Sequence, residues 1–325
     1  MALSDLAVYS EYAYTAMTEV VAQEVDKFNT ASRGAIVLSA GANQGDYSDK
    51  VFWAKVNGLV ARRDAYGSGA ITAKKMTQLT DTSVKFASRA YVELNPGQMK
   101  WIQQNPQAAG AAYGQQLAGD VMADMLNIAV GATYAALSGQ AAIINDITGG
   151  SSATPDLDVL TPIALQGGTA KFGDRQSAIV AWVAHSMAMN DYFIGALTNT
   201  NRLFRFETIN VVEDFMGRLF IISDIPALYT AGTPKICQTL GLVSGAIDVE
   251  RNNDYTANEH TINGFENIVT TLQQEWSNNL SIKGFTWDKA SGGHSPTDAA
   301  LMTASNWDKI ATSVKDLAGV IVRTN

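Results

Sequence analysis

Cysteine is almost absent from this chain. Cys237 stands alone, which excludes an internal disulfide and fits a reducing compartment. Its neighbours are apolar and none is a histidine, so it reads as buried and inert. Histidine is nearly as scarce: His185, His260 and His294 are far apart and fall in no metal-ligand spacing. His185 ends an apolar run, the setting of a core histidine. Charged residues make up only 17% of the chain, below the usual ~25%. A large protein with so few charges is expected to hide surface against other copies. The net charge of −8 excludes an electrostatic nucleic-acid binder built on the whole chain. Proline does not occur before Pro96, so nothing interrupts strands upstream of it. The sequence shows no apolar run of ~18 residues and no basic-then-apolar leader. It has no repeat of fixed period, no P-loop, no G-x-S-x-G and no dinucleotide fingerprint. Gly67-Ser68-Gly69 reads as a turn, because no lysine-bearing helix follows it.

What is present is organised around residues 106–138. Asn105 can cap a helix there, Pro106 suits its first position, and Gly139 can close it in a left-handed conformation. Tyr113, Leu117, Val121, Met125, Ile128, Ala132 and Ala136 recur on one face. At 1.5 Å per residue the rod is roughly 50 Å long. Gly110, Gly114, Gly119 and Gly131 each cost it about 1 kcal/mol of helix propensity. They are either tolerated or places where something approaches the backbone closely.

Residues 5–28 form an amphipathic helix that Ser4 can cap, with Leu6, Tyr9, Ala13, Met17, Val21, Val25 and Phe28 near one face. Its acids lie largely off that stripe, which argues against a membrane anchor. The helix packs either on its own core or, as an arm, on a neighbouring subunit. Ala35–Ser39 reads as a short buried strand, followed by a loop at Gly41, Asn43, Gly45 and Asp46. From Val51 two strand-like runs flank a Gly-rich turn at Asp64–Gly69, a long hairpin, and Ser83–Leu94 is a third strand. Pro96–Gln104 reads as a short helix. Thr148–Asp158 is loop chemistry and a candidate boundary. Thr161–Phe172 reads as a helix, Ser177–His185 as a buried strand, and Ser186–Leu197 as a helix capped by Ser186. Arg218–Ser223 is a strand ended by Asp224-Ile225-Pro226, and 236–249 and 262–276 supply extended or mixed segments. Strands and helices mixed this way imply an α/β or α+β fold.

Residues 46–95 carry eight cations against five carboxylates, net +3, leaving −11 for the rest. These charges either solvate an exposed hairpin or meet an acidic surface on another copy. Phe52, Trp53 and Tyr66 could stack bases, but the charge is thin for a phosphate backbone. Asp248, Glu250, Asp254 and Glu259 could hold a divalent cation or form a solvated acidic loop.

Several segments together resemble the major capsid proteins of tailed bacteriophages with the Hong Kong 97 fold. They are GANQGDYSD at 41–49, GLVARRDAYGSGAITAKK at 58–75, WIQQNP at 101–106, GRLFIISDIP at 217–226 and GFTWDKASGGHSPTDAALMTASNWDKI at 284–310. The resemblance covers nearly the whole chain in order. It implies an α+β capsid fold with an N-terminal arm at 1–45, an extended E-loop hairpin at 46–81 and a peripheral domain at 82–145 with spine helix 106–138. An axial domain at 146–283 and a return to the peripheral domain at 284–325 complete it, with Val320-Ile321-Val322 closing a sheet with the strand Val84–Leu94. Some members join subunits by a lysine–asparagine isopeptide bond. Lys74 and Lys75 are on the hairpin, but no matching Asn and Glu motif is found, so that chemistry is not carried over.

The resemblance further implies a non-enzymatic protein without cofactor, metal or membrane. It would self-assemble as pentamers and hexamers into an icosahedral shell around double-stranded DNA held by confinement. Its partners would be other copies, a portal, and separate scaffolding or cement proteins. It would assemble in the host cytoplasm and reside in the virion. Expected inter-subunit contacts are Trp53, Arg62, Arg63, Asp64, Tyr66, Lys74 and Lys75 on the hairpin and Glu19 and Glu24 on the arm, where residues 1–33 carry net −3. The rival readings are a cargo compartment of the same fold and a soluble α/β enzyme.

Overall fold

Asn105 opens the long helix as the sequence predicts, its side chain accepting a hydrogen bond from the Ala108 N–H. The computed structural model describes residues 3–43, 45–54, 56, 58–148, 158–194, 201–206, 209–213, 217–264 and 266–325. An N-terminal helix α1 (Leu3–Ala31) is followed by β1 (Ile36–Gly41), β2 (Tyr47–Trp53) and β3 (Gln78–Leu94). The short helix α2 (Pro96–Gln104) leads into the long helix α3 (Pro106–Ser138). After it come β4 (Ile144–Asp146), α4 (Pro162–Ala170), β5 (Ile179–Ala184) and α5 (Ser186–Ile194). Then β6 (Asn201–Phe206), β7 (Ile209–Glu213), β8 (Leu219–Ile222), β9 (Tyr229–Thr230) and β10 (Ile236–Val243) follow. The chain ends with β11 (Ile247–Asn252), β12 (Thr256–Ile262), β13 (Val269–Ile282), β14 (Phe285–Trp287), α6 (Lys289–Gly292), α7 (Asp298–Leu301), β15 (Trp307–Lys309) and β16 (Gly319–Thr324).

The fold is α+β. One sheet has the order β1-β11-β13-β3-β2, with β12 also on β13. The other has the order β4-β16-β10-β5-β8-β7-β6, with β9 also on β10. Helix α3 packs along α1, the main apolar core takes in α1, α3 and both sheets, and a smaller cluster gathers Tyr9, Leu94, Met99 and Ile102. Helix α3 is long and apolar enough to cross a membrane by length and composition, although Asp120 and Asp124 leave it no unbroken apolar run. Most of that window, 72%, is buried inside the fold, the behaviour of a core helix.

Two of the glycines on α3 have a clear reason. A Cβ on Gly110 would stand 2.5 Å from the Tyr9 carbonyl oxygen, and one on Gly114 would stand 2.3 Å from that of Ala13. Helix α1 therefore rides directly on the backbone of α3, burying Tyr9, Ala13, Met17, Val21 and Phe28. Of the two readings of the N-terminal helix, packing on its own core is the one observed.

Several local expectations change. Gly139 ends α3 in a right-handed conformation (φ −68°, ψ −8°). Ser4 lies inside the first turn of α1 rather than ahead of it. Ser186 is the first residue of α5, not its cap. The Met187 N–H donates to His185 Nδ1, and the Ser186 N–H donates to Asp224. Most of Thr148–Asp158 and the end of the expected helix Ser186–Leu197 lie outside the described residues. Val320-Ile321-Val322 pairs with β10 on one side and β4 on the other, not with Val84–Leu94. The reason is burial on both faces. β16 is apolar from Gly319 to Val322, buried at every residue but Arg323, and sits at an interior position against α4, where a Cβ on Gly168 would already meet Val322 at 2.5 Å. Strand β3 alternates buried and exposed and takes the long strand β13 instead.

Candidate assembly surfaces

The hairpin is a ladder only at its base. Register runs from Tyr47↔Val84 to Trp53↔Gln78, with one further bond from the Ala54 N–H to the Thr77 carbonyl. The expected strands 51–63 and 70–79 thus keep their strand form only to Trp53 and from Gln78 onward. Beyond that, among the described residues, no ladder pairing continues, and residues 58–78 are exposed throughout. Apolar side chains do not escape this: Val60 is 95% exposed, Ile71 91% and Tyr66 100%. The tip is held by a local turn in which Asp64 accepts from the Tyr66 and Gly67 N–H groups, through its side chain and its carbonyl.

The base is anchored by charge. Asp49 accepts from Lys289 Nζ (2.7 Å) and from the Thr82 hydroxyl (2.7 Å). These bonds hold its carboxyl below the usual range, the Lys289 bond most of all. Lys289 also sits over the Tyr47 ring at 5.0 Å. Lys85 pairs with Asp254 at 3.2 Å. Burial alone would push Asp254 up, but hydrogen bonds from Ser277 and Lys85 outweigh it and hold the carboxyl low. Asp81 shows the opposite balance: burial raises its pKa.

Arg62, Arg63, Lys74 and Lys75 are all exposed at the tip, and among the described residues none of them makes an ion pair. Trp53, 61% exposed, marks where the ladder ends. Glu19 is exposed on the outer face of α1, together with Glu11 and Asp26. Glu24 is half-buried and already bonded to Lys27 at 2.7 Å. Within one chain the structure therefore does not bring the hairpin residues to the arm residues; each set faces outward.

His185 is partly buried at the edge of the core: its ring stacks on Tyr229 at 4.8 Å and its Nε2 lies 3.6 Å from Asp224. Cys237 is buried, and that burial pushes its thiol up. The four carboxylates 248, 250, 254 and 259 disperse over two strands and a loop, and no metal-holding group of three acids, histidines or cysteines exists among the described residues. In the C-terminal segment, Trp287 faces Trp307 edge-on at 4.9 Å across the β14–β15 pair. Their indole N–H groups donate to the Gly293 and Leu301 carbonyls. Thr297 caps α7 through its side chain. Sequence reasoning missed one surface, a groove between α1 and β1 beside Arg251. The signal was the alternation Ile247, Val249, Arg251, which puts an arginine on the core face of its strand.

The capsid of Ralstonia phage GP4 is similar over 89% of this chain and 87% of its own, with 8% identity and a TM-score of 0.48. The Cyanophage Pam1 capsid asymmetric unit is similar over the same shares, with 10% identity and a TM-score of 0.48. A chain of Mycobacterium phage Adephagia is similar over 90% and 89%, with 13% identity and a TM-score of 0.41. No curated protein sequence matches. A family profile described as "Gp13-like: Major capsid protein 13-like" matches residues 5–321, nearly the entire chain. The chain belongs to the major capsid protein 13-like family.

Proposed function

We propose that this major capsid protein assembles as pentamers and hexamers into the icosahedral shell of a tailed phage of Hong Kong 97 type, enclosing double-stranded DNA. The observation that carries the reading is the hairpin tip, whose apolar and cationic side chains have no place to go within their own chain. An exposed apolar surface of this kind marks an interaction site. Repeated around closed symmetry, such contacts give a finite shell, and obligate interfaces often exceed ~2,000 Å².

In this reading the hairpin is the E-loop, α3 the spine of a peripheral domain, and the β4–β16 sheet the part that gathers at the symmetry axes. The tip residues Trp53, Arg62, Arg63, Asp64, Tyr66, Lys74 and Lys75 lie on a neighbouring subunit. Their partner there is the acidic outer face of α1, with Glu19 and Glu24. DNA is held by confinement rather than by a basic lining, in keeping with a net charge of −8. A portal and separate scaffolding or cement proteins complete the particle, which forms in the host cytoplasm.

Negative-stain microscopy of the expressed protein tests this. The wild-type chain should form closed particles, and Arg62→Glu with Arg63→Glu should leave soluble subunits. Normal shells from the double variant would overturn the charge pairing. Nuclease-protected DNA in particles from infected cells would separate a genome container from a cargo compartment.

A further inference from the structure

Helix α1 and the sheet beside it enclose a groove of about 360 Å³. Its walls are Tyr14, Val21 and Val25 on α1 and Leu38 on β1, with Met125 of α3 at the floor. One cation, Arg251, stands in this apolar lining. Its guanidinium reaches Met17 Sδ at 3.8 Å, next to the stacked rings of Tyr14 and Tyr255. Among the described residues no carboxylate lies within ion-pair distance of it. Asp254, the one carboxylate whose charge is felt at Arg251 among the described residues, is committed to Lys85 and Ser277. Asp248 and Glu250 alternate with Arg251 along β11 and so point to the other face of the sheet. A partly desolvated cation without an anion is costly, and a carboxylate supplied from outside would offset that cost.

The wall beside Arg251 is also an open sheet edge. Among the described residues β1 pairs only with β11, in parallel. Its outward backbone groups are satisfied one after another by side chains at the end of α1 and in the turn that follows it. The Ser32 hydroxyl donates to the Ile36 carbonyl at 3.3 Å. Asn29 then mimics a paired strand: its Nδ2 donates to the Leu38 carbonyl (2.7 Å), and the Leu38 N–H donates to its Oδ1 (2.9 Å). Two residues on, the same alternation turns the N–H and C=O of Ala40 outward, where nothing among the described residues takes Asn29's place. Ala40 is the register partner of Arg251. The open backbone groups and the unpaired cation therefore lie side by side.

We propose that this groove is a docking site for an extended peptide segment of a partner protein, apolar with one carboxylate. The peptide would pair with the β1 edge at Ala40 and place its carboxylate on Arg251. Strand addition of this kind draws affinity from main-chain bonds and specificity from alternate side chains. The hairpin tip of a second copy fits poorly here. It is rich in cations, and its one carboxylate, Asp64, already holds the tip's own turn. The basic tip suits the outer, acidic face of α1, while the groove suits an acidic guest. The inference does not rest on the shell reading.

The test uses the purified full chain and short fluorescein-labelled peptides read by anisotropy. The probe alternates valine and leucine around one central aspartate. A second peptide carries lysine in its place, a third spans hairpin residues 58–75, and decanoate serves as a competitor without a backbone. The aspartate peptide should bind, and the lysine peptide should bind at least about tenfold more weakly. Arg251→Met should weaken the aspartate peptide by about the same factor, and it removes a buried charge, so the fold should hold. Ala40→Pro deletes the outward N–H at an edge that accepts proline, and it should weaken both peptides alike. Equal binding of the two peptides, binding of the hairpin peptide alone, displacement by decanoate without sensitivity to Ala40→Pro, or no binding at all would each overturn the proposal. Particle formation by Arg251→Met, followed separately, keeps this outcome distinct from that of the assembly reading.

Discussion

Helix α1 and the hairpin tip invite comparison, because both read from sequence as limbs that leave the body of the subunit. One of them does not leave. Tyr9, Ala13, Met17, Val21 and Phe28 are buried against α3, and Gly110 and Gly114 clear the way for that approach. The tip has comparable apolar material in Leu59, Val60, Tyr66 and Ile71, yet all of it is exposed. The difference lies in the partner. The α1 stripe has helical period and meets a helix whose small residues leave a track. Among the described residues the ladder with β3 does not continue past Trp53, and apart from the Ala54–Thr77 bond and the local turn at Asp64 the tip makes no ladder contact with the rest of the chain. Apolar content alone does not fix where a segment goes; the presence of a matching surface does.

Substitutions should separate the two regions, and the largest effect on stability belongs to α1. Phe28→Ala empties a fully buried site and should cost about 3–5 kcal/mol in denaturant unfolding of the subunit. Gly114→Val should cost about 1–3 kcal/mol, because its Cβ would meet backbone rather than a flexible side chain. A loss within error would mean that α1 is not held on α3 in solution.

The base of the hairpin should respond to acid. Asp49 and Asp254 are both held below the usual carboxylate range, so above about pH 4 their contribution to stability is fully present. As pH falls further the unfolded chain takes up protons first, and the contribution disappears as pH passes through the folded values. Asp254→Asn should therefore lower the neutral plateau of a Tm-versus-pH curve and flatten its acid limb, so that the variant converges on wild type at low pH. An unchanged acid limb would contradict the assigned pairings with Lys85 and Ser277. The smallest stability effect belongs to the tip. Tyr66→Ser with Ile71→Ser should change subunit stability by no more than about 0.5 kcal/mol, while assembly scored by light scattering should fail.

Much of this was legible in the sequence where the signal is local. Helix α3 follows from Asn105, Pro106 and the Leu117–Val121–Met125 periodicity, and β5 and β8 follow from short apolar runs bounded by polar residues. Pairing was not legible, because it depends on residues far apart in the chain. Val320–Val322 reads equally well as a partner for any apolar strand, and only burial on both faces selects β10 and β4. The run 51–63 has strand-like composition but, among the described residues, no ladder partner past Trp53, and no sequence window records that. The outward-facing residues of the assembly surfaces were visible as charge, because charge survives without knowledge of the fold. The groove at Arg251 was not, because it needs β1, β11 and α1 placed together.

Hydrogen exchange across residues 58–77, compared between isolated subunits and assembled particles, addresses the central claim that the tip finds its partner only in another copy. The account predicts fast, unprotected exchange in the subunit and strong protection in the particle, with α1 protected in both. Protection of the tip already in the isolated subunit, or its absence in the particle, would contradict it.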